Sequence, residues 1–560
     1  MASAVIPEAS GIQSQGTRAA TVADNFAARL EYLNRIGIAL SQERDINTLL
    51  ETILVAAKNL TRADGGTLYR VVDGKLQFEI VRNDSLAISM GGTSSEVVPF
   101  YPIPLHDKDG KPNHTMIAAY AALTQKTVNI PDAYMEEGFD FSGTRNFDKR
   151  TGYRSKSFLT VPMKSHEGEI IGVLQLLNAL HPSTGEVIPF SEEDQRLAES
   201  LASQAAIALT NRLLIQQLEV LFESLIDLIN TAIDEKSPYT GKHCNRVPLL
   251  TMMIAEAAHN TTRGPLADFR MTDKDRYELK IAGLLHDCGK ITTPVHVVDK
   301  ATKLETIFDR IHLVSQRFAA LKRQAEVQML RKQLAALEAG DRDAAKRAED
   351  EYAARVRQYD DDREFLEKAN IGSERMRPED QARVSAIAAY DWVDARGDKV
   401  PFLSKEEEDN LNIQYGTLTG SERQVINHHI VATIKMLEAL PWPKHLVNVP
   451  EYAGGHHERM DGKGYPRGLN REQMSIQARL MGIADIFEAL TAKDRPYKKG
   501  KTLSESLAIL GKMREGGHVD PDLFDVFVRE KVYLQYATAV LLDPEQIDEV
   551  DESKIPGYRP

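Results

Sequence analysis

Seven side chains suited to binding divalent metals are spread over the C-terminal half of this 560-residue chain. His286 and Asp287 are adjacent in Leu285-His286-Asp287-Cys288-Gly289-Lys290, and His456 and His457 are adjacent in HHERMDGKGYP. His243 in TGKHCNRV, His429 in INHHIVAT and Asp485 in GIADIFEAL complete a set of five imidazoles and two carboxylates. That mixture suits iron, manganese, zinc or nickel far better than calcium, which takes oxygen ligands. Adjacent side chains on a helix point apart, so His286 and Asp287 reach one ion only where their helix ends, and Gly289 supplies such an end. Seven groups exceed one octahedral shell, whereas a carboxylate-bridged pair of ions about 3.5–4 Å apart uses them all. A lone histidine in any of these places would more often be a satisfied core residue, so the reading rests on the set. Cys244 and Cys288 each adjoin one of these groups, but neighbours on a helix point away and free cysteine commonly packs as a small apolar residue.

The elements that must position these groups follow from periodicity. Residues 1–27 are small and polar and read as a flexible leader. Helical spacing from Leu30 to Leu60 is followed by alternating runs, GGTLYRVV, KLQFEIV, KSFLTVPM and EIIGVLQLLN, which predict an α+β domain over 28–190. Ser191 with Asp194 is a capping-box signature for a connecting helix over 191–234. In it Leu197, Leu201, Gln204, Ala208, Asn211, Ile215, Leu218, Phe222, Leu225 and Ile229 step by four and three, a coiled-coil-like seam. Such a seam is buried best against a second copy, giving a parallel homodimer in which Gln204 or Asn211 fixes register. Beyond Tyr239 helical patterns dominate without alternating strands, so 235–540 reads as an all-α domain and 541–560 as a tail. Within it, about 313–415 is an insertion. Its charged, Ala-rich part between Leu313 and Lys368 breaks near Gly340 and Asp341, predicting two long helices joined by a tight turn.

Composition narrows the classes. Apolar residues at 42% and charged residues at 27% describe a multidomain globular chain. A net charge of −13 excludes long-range attraction to a nucleic-acid polymer or anionic lipid as the organising force, so an anionic substrate needs a local metal or cationic site. Two cysteines exclude a disulfide framework and point to a reducing, cytoplasmic setting. No run approaches 18 apolar residues, and no membrane span or secretion signal is expected.

HDCGK, HHERMDGKGYP and ADIFEALTAKDRPYK resemble the signatures of the HD-GYP family, a branch of the HD superfamily of metal-dependent phosphohydrolases. The resemblance implies an all-α phosphodiesterase that cleaves cyclic di-GMP at a two- or three-metal centre. Carried over by position, it makes His243, His286, Asp287 and Asp485 the shell of one ion, with Asp287 bridging to a second ion held by His429, His456 and His457. Iron or manganese is preferred, with zinc or nickel as alternatives. Asp287 and Lys290 would be catalytic. Lys290, Arg495, Lys498, Asp461, Gly464, Tyr465 and Glu488 would face substrate, and the GYP loop could also receive a protein partner. Three-metal members have Glu where this chain has Tyr239, so two ions are expected here. Glu488 stands where the family usually has Asp, and the Asp485-to-Arg495 spacing is one residue longer than the common form. His312 and His428 compete with His429, which lies in the better match to the family's helix.

Val128–Tyr134, Asn146–Met163 and Gly168–Asn178 resemble a GAF domain, a small-molecule sensor, with Asn146 and Asp148 a partial match to the signature that supports a cyclic-nucleotide pocket. His106, His114, His166 and His181 are scattered, so neither haem nor bilin is expected. The resemblances together imply a phosphodiesterase regulated by a cyclic nucleotide or other small ligand through the connecting helix. The alternatives are an HD hydrolase of another cyclic or linear nucleotide, and a non-catalytic signalling module.

Overall fold

Alternation along the N-terminal strands sends neighbouring side chains to opposite faces of one sheet. Leu68 and Leu174 join a core with Leu49, Ile53, Leu54, Leu197 and Leu201, whereas Tyr69 and Val173 join another with Ala118, Ala119 and Ala122. The first core is closed by the Ile46–Thr61 helix, started by Asp45 accepting from the Thr48 amide at 2.7 Å. Between these layers runs an antiparallel sheet in the order Ile88–Gly91, Lys75–Asn83, Ala63–Val72, Ile170–Leu180, Phe158–Lys164, Val128–Ile130. This computed structural model describes residues 13–237, 241–372, 375–394, 396–493, 500–540 and 542–560. The chain divides into two compact units, 1–222 and 223–560.

The helix after the sheet spans Glu192–Lys236 and starts as the capping box requires: Asp194 N donates to Ser191 Oγ at 3.1 Å, and Ser191 N donates to Asp194 Oδ2 at 3.0 Å. Its seam is not continuous. Leu197 and Leu201 are buried in the sheet's core, because the first four turns must cover that sheet. Further on, Leu214, Leu218, Leu221, Leu225 and Leu228 are exposed, at 46–64%. They step four, three, four, three, so the unpartnered seam runs through a row of leucines partly offset from the one read in sequence.

The second unit is built from helices whose starts are written in short polar motifs. Thr272 with Asp275 and Thr419 with Glu422 form capping boxes, and Ser475 caps the Ile476–Thr491 helix. Ile311–Glu338 and Arg342–Ile371 are the two long helices of the inserted segment, joined where Gly340 adopts φ 76° and Asp341 accepts from the Ala344 amide. They pack with later inserted residues around a core of their own that includes Phe318, Leu366, Val384 and Phe402. A short ribbon, Asp391–Val393 paired with Lys399–Pro401, interrupts the helices where sequence reading expects no strand. Its three-residue strands are too short for alternation to be visible. Among the described residues no helix is long and apolar enough to cross a membrane.

Candidate metal centre

The Asp273–Leu285 helix stops one residue before His286, and a 3-10 turn, Cys288–Thr292, begins after Asp287. That change of winding turns two adjacent side chains towards each other, with His286 Nε2 3.3 Å from Asp287 Oδ2. Gly289 then lies against the Gly420–Glu438 helix. A Cβ on Gly289 would fall 2.0 Å from the His429 carbonyl oxygen, while its amide donates to Thr433 Oγ1 at 2.9 Å. Only glycine permits this approach, which brings His429 Nε2 to 3.3 Å from Asp287 Oδ1. His428 and His312 are exposed and outside the cluster.

Asp287, 2% exposed, therefore has one oxygen on each side of the site. Oδ2 faces His243 Nε2 at 3.2 Å, His286 and the Lys290 ammonium at 2.5 Å, and Oδ1 faces His429. Asp485, on the Ile476–Thr491 helix, closes the first side with Oδ1 3.2 Å from His243 Nε2. On the other side His457 Nε2 is 3.1 Å from His429 Nε2. The His456 ring links the two halves, its centroid 4.1 Å from that of His457 and 5.0 Å from that of His286. His243, His286 and Asp287 form one group of ligand atoms mutually within 4.8 Å, and His429, His456 and His457 form another.

The protonation pattern fits metal binding. His286, His429 and His456 each direct Nδ1 to the backbone carbonyl three residues earlier, at 2.7, 2.5 and 2.6 Å. The hydrogen bond sits on Nδ1, so the lone pair sits on Nε2, facing inward. His243 Nδ1 is held by Glu488 Oε2 in the same way. His243 and His286 thus present Nε2 to each other at 3.4 Å, and the buried His456 Nε2 and Asp287 Oδ1 have no hydrogen-bond partner. Buried acceptors left facing one another are costly unless a cation lies among them. Burial pushes the His456 pKa down to about 4, assisted by His286, and burial with His456 lowers that of His457, so both stay neutral ligands. Burial opposes charge on His243, but Asp287, Asp485 and Glu488 outweigh it and raise its pKa, so metal binding at His243 Nε2 must displace a proton. Burial would raise the Asp287 pKa, yet Lys290 and the imidazoles hold it well below the usual carboxylate range. Burial pushes the Cys288 thiol up to about 11 and raises Cys244 as well, so neither is a thiolate at neutral pH.

The loop after the paired histidines is braced by residues that sequence reading did not single out. Glu458, 3% exposed, accepts from the Arg467 and Leu469 amides at 2.7 and 2.9 Å. Gly464 packs so closely that a Cβ would lie 2.4 Å from Arg459 N and 2.5 Å from Glu458 Cα. Tyr465 consequently stacks on His457, with centroids 4.8 Å apart and planes 18° apart. Burial lifts the Tyr465 pKa to about 12, partly opposed by the Arg423 guanidinium. Asp461 is gripped by Arg459 at 3.0 and 2.7 Å and accepts from the Lys463 amide at 3.0 Å within the loop.

Glu488, read in sequence as facing substrate, is 1% exposed and lies behind His243. Its other oxygen accepts from Arg246 Nε at 2.6 Å, so the longer side chain orients an imidazole. The missed signal was spacing: Glu488 and Asp485 lie three apart on one helix, as do Arg246 and His243 on the Gly241–Asn260 helix. Glu488→Gln should lower divalent-metal affinity about 10–100-fold, the usual cost of losing a partner that orients a ligand, measured by competition with a chromogenic chelator. Tyr239, Arg495 and Lys498 lie outside the described residues. In the N-terminal unit Asp148, 4% exposed, accepts from the Tyr134 hydroxyl at 2.7 Å and from Ser155 N and Oγ at 2.8 Å, bracing the loop, whereas Asn146 is exposed.

Comparison with known proteins agrees with both halves. Residues 45–209 match the GAF domain family, and 240–369 and 407–523 match two HD domain families. A cyclic di-GMP phosphodiesterase of Pseudomonas aeruginosa is 46% identical over 74 residues, 13% of this chain and 17% of that protein. A 3'3'-cGAMP-specific phosphodiesterase of Vibrio cholerae is 44% identical over 92 residues, 16% of this chain and 21% of that protein. The matches thus span about a fifth of these relatives. Among solved structures, the GAF domain of an Acinetobacter phosphoenolpyruvate-protein phosphotransferase aligns with 16% identity and a TM-score of 0.25, covering 34% of this chain and 98% of that one. The chain is a GAF–HD protein. In the HD half, Gly464 and Tyr465 pack beside the paired histidines, Tyr465 stacked on His457.

Proposed function

We propose that this chain is a cyclic di-GMP phosphodiesterase whose water nucleophile is activated at a two-metal centre. The observation that carries the reading is the convergence of five imidazoles on Asp287 and Asp485, four of them with the inward Nε2 set by a hydrogen bond on Nδ1. His243, His286, Asp287 and Asp485 would hold one ion, and His429, His456, His457 and the second oxygen of Asp287 the other. When bound, the ions supply an activated water and offset charge on the phosphoryl oxygens.

The chain's own groups do the rest. Asp287 fixes the spacing of the two halves. Burial disfavours the Lys290 ammonium, but Asp287 more than offsets this and raises its pKa, so Lys290 stays charged and can donate to a phosphate oxygen. Tyr465, a neutral phenol stacked on His457, offers a donor at the rim. Arg495 and Lys498 would hold further phosphate oxygens. The test is turnover of cyclic di-GMP by anaerobically prepared protein loaded with Fe(II) or Mn(II), against the same protein stripped by chelator. Hydrolysis that returns with metal supports the reading, and none under either condition refutes it. The Vibrio cholerae relative's name motivates running 3'3'-cGAMP in parallel.

The GAF domain would receive a small ligand, with cyclic nucleotide the first candidate, and act on the centre through a homodimer. The exposed row Leu214, Leu218, Leu221, Leu225 and Leu228 supports pairing with a second copy. Leu221→Glu combined with Leu225→Glu should halve the mass seen by light scattering and abolish any response of turnover to added cyclic GMP or cyclic AMP, with metal content unchanged.

A further inference from the structure

The inserted segment rejoins the His429 helix through a turn that presents an aromatic ring. Tyr415 is 54% exposed, although its backbone is held on both sides. Gln414 O accepts from the Met376 amide at 3.1 Å, and a Cβ on Gly372, at the end of the second long helix, would lie 2.6 Å from Gly416 O. Thr417 Oγ1 then donates to Lys300 O at 2.9 Å. A ring on so firmly held a turn loses little freedom when it stacks on a ligand. Arg375 lies over the ring, its guanidinium carbon 5.3 Å from the centroid.

This turn is linked to the metal centre. Arg423, six residues before His429 on the same Gly420–Glu438 helix, donates from Nη2 towards Tyr415 O at 3.4 Å. Tyr465 stacks on His457, which faces His429. Arg375 and Arg423 have no carboxylate within 4.0 Å among the described residues, in a chain of net charge −13. Two guanidiniums with no carboxylate partner among the described residues, beside a half-exposed aromatic ring, suit a nucleotide, whose base stacks and whose phosphate pairs with arginine.

We propose that Tyr415 is a stacking platform for one purine base of the substrate and that Arg423 holds a phosphate oxygen between that base and the Tyr465 side of the metal centre. The inserted segment would then be part of the substrate site, which sequence left without a role. This rests on the cyclic-dinucleotide reading above, and the experiment separates the two.

Full-length wild type, Tyr415→Ala, Tyr415→Phe and Arg423→Gln are compared on cyclic di-GMP and on bis(p-nitrophenyl) phosphate, a diester without a purine. Binding of cyclic di-GMP to metal-stripped protein is followed by calorimetry. Tyr415→Ala should raise KM and Kd for cyclic di-GMP about ten-fold, the loss of one base stack, with kcat within about two-fold. Tyr415→Phe should retain wild-type values, Arg423→Gln should raise KM for cyclic di-GMP, and turnover of the small diester should be unchanged in the two Tyr415 variants. Unchanged KM and Kd in Tyr415→Ala, or equal losses on both substrates, overturns the platform and leaves the phosphodiesterase reading standing. A wild type that cleaves the small diester but neither binds nor cleaves cyclic di-GMP overturns both.

Discussion

Asp287→Ala is expected to abolish cyclic di-GMP hydrolysis, lowering kcat by at least about 10³-fold, and to leave the purified protein with less than one ion per chain. The carboxylate faces His243, His286 and Lys290 with one oxygen and His429 with the other, so its removal takes a ligand from both proposed ions at once. It also leaves the Lys290 ammonium, 2.5 Å from Asp287 Oδ2, without its counter-charge beside a cluster of imidazoles, which opposes cation binding further. Asp287→Asn separates these effects. It keeps the shape and one oxygen but removes the charge, so metal content should fall as in Asp287→Ala while thermal stability of the metal-free protein stays closer to wild type. Elemental analysis of anaerobically purified proteins beside the turnover assay reads both quantities. Turnover by Asp287→Ala comparable to wild type would contradict the bridging role.

Gly289→Ala should be the most damaging single-carbon change in the HD half, costing about 3 kcal/mol of stability with loss of tight metal binding. The added Cβ would sit 2.0 Å from the His429 carbonyl oxygen and 2.6 Å from Thr433 N. These are backbone atoms of a helix, which cannot rotate aside as a side-chain tip can. The turn carrying Asp287 must therefore move away from the helix carrying His429, opening the 3.3 Å approach of Asp287 Oδ1 to His429 Nε2. Gly420→Ala is the control: it lies in the first turn of the same helix with nothing within 4 Å of an added Cβ, and its stability should change by less than about 0.5 kcal/mol. Denaturant unfolding of the two variants provides the comparison.

Much of this architecture was legible because local rules write it into short stretches. The Ser191 and Asp194 capping box starts its helix where the pair says, and the strand alternation that separates Leu68 from Tyr69 is visible in GGTLYRVV. The adjacency of His286 and Asp287 required a helix end, and Gly289 announced one, but its stronger role, a close approach to a helix more than a hundred residues later, leaves no local mark. Glu488 was misplaced for the same reason: whether a carboxylate faces substrate or the back of an imidazole depends on how two distant helices cross. The leucine seam was read as continuous because periodicity cannot tell a stripe that covers the chain's own sheet from one that awaits a partner. Tyr415 carried no signal at all, since an aromatic in an irregular segment gains meaning only from what the fold sets beside it.

The most direct test is to load the wild-type protein anaerobically with Mn(II) or Fe(II), count the ions per chain, and locate them by anomalous diffraction. Two ions about 3.5–4 Å apart, one on each side of Asp287, are predicted. A single ion, or two ions bound at separate places with Asp287 touching neither, would contradict the account.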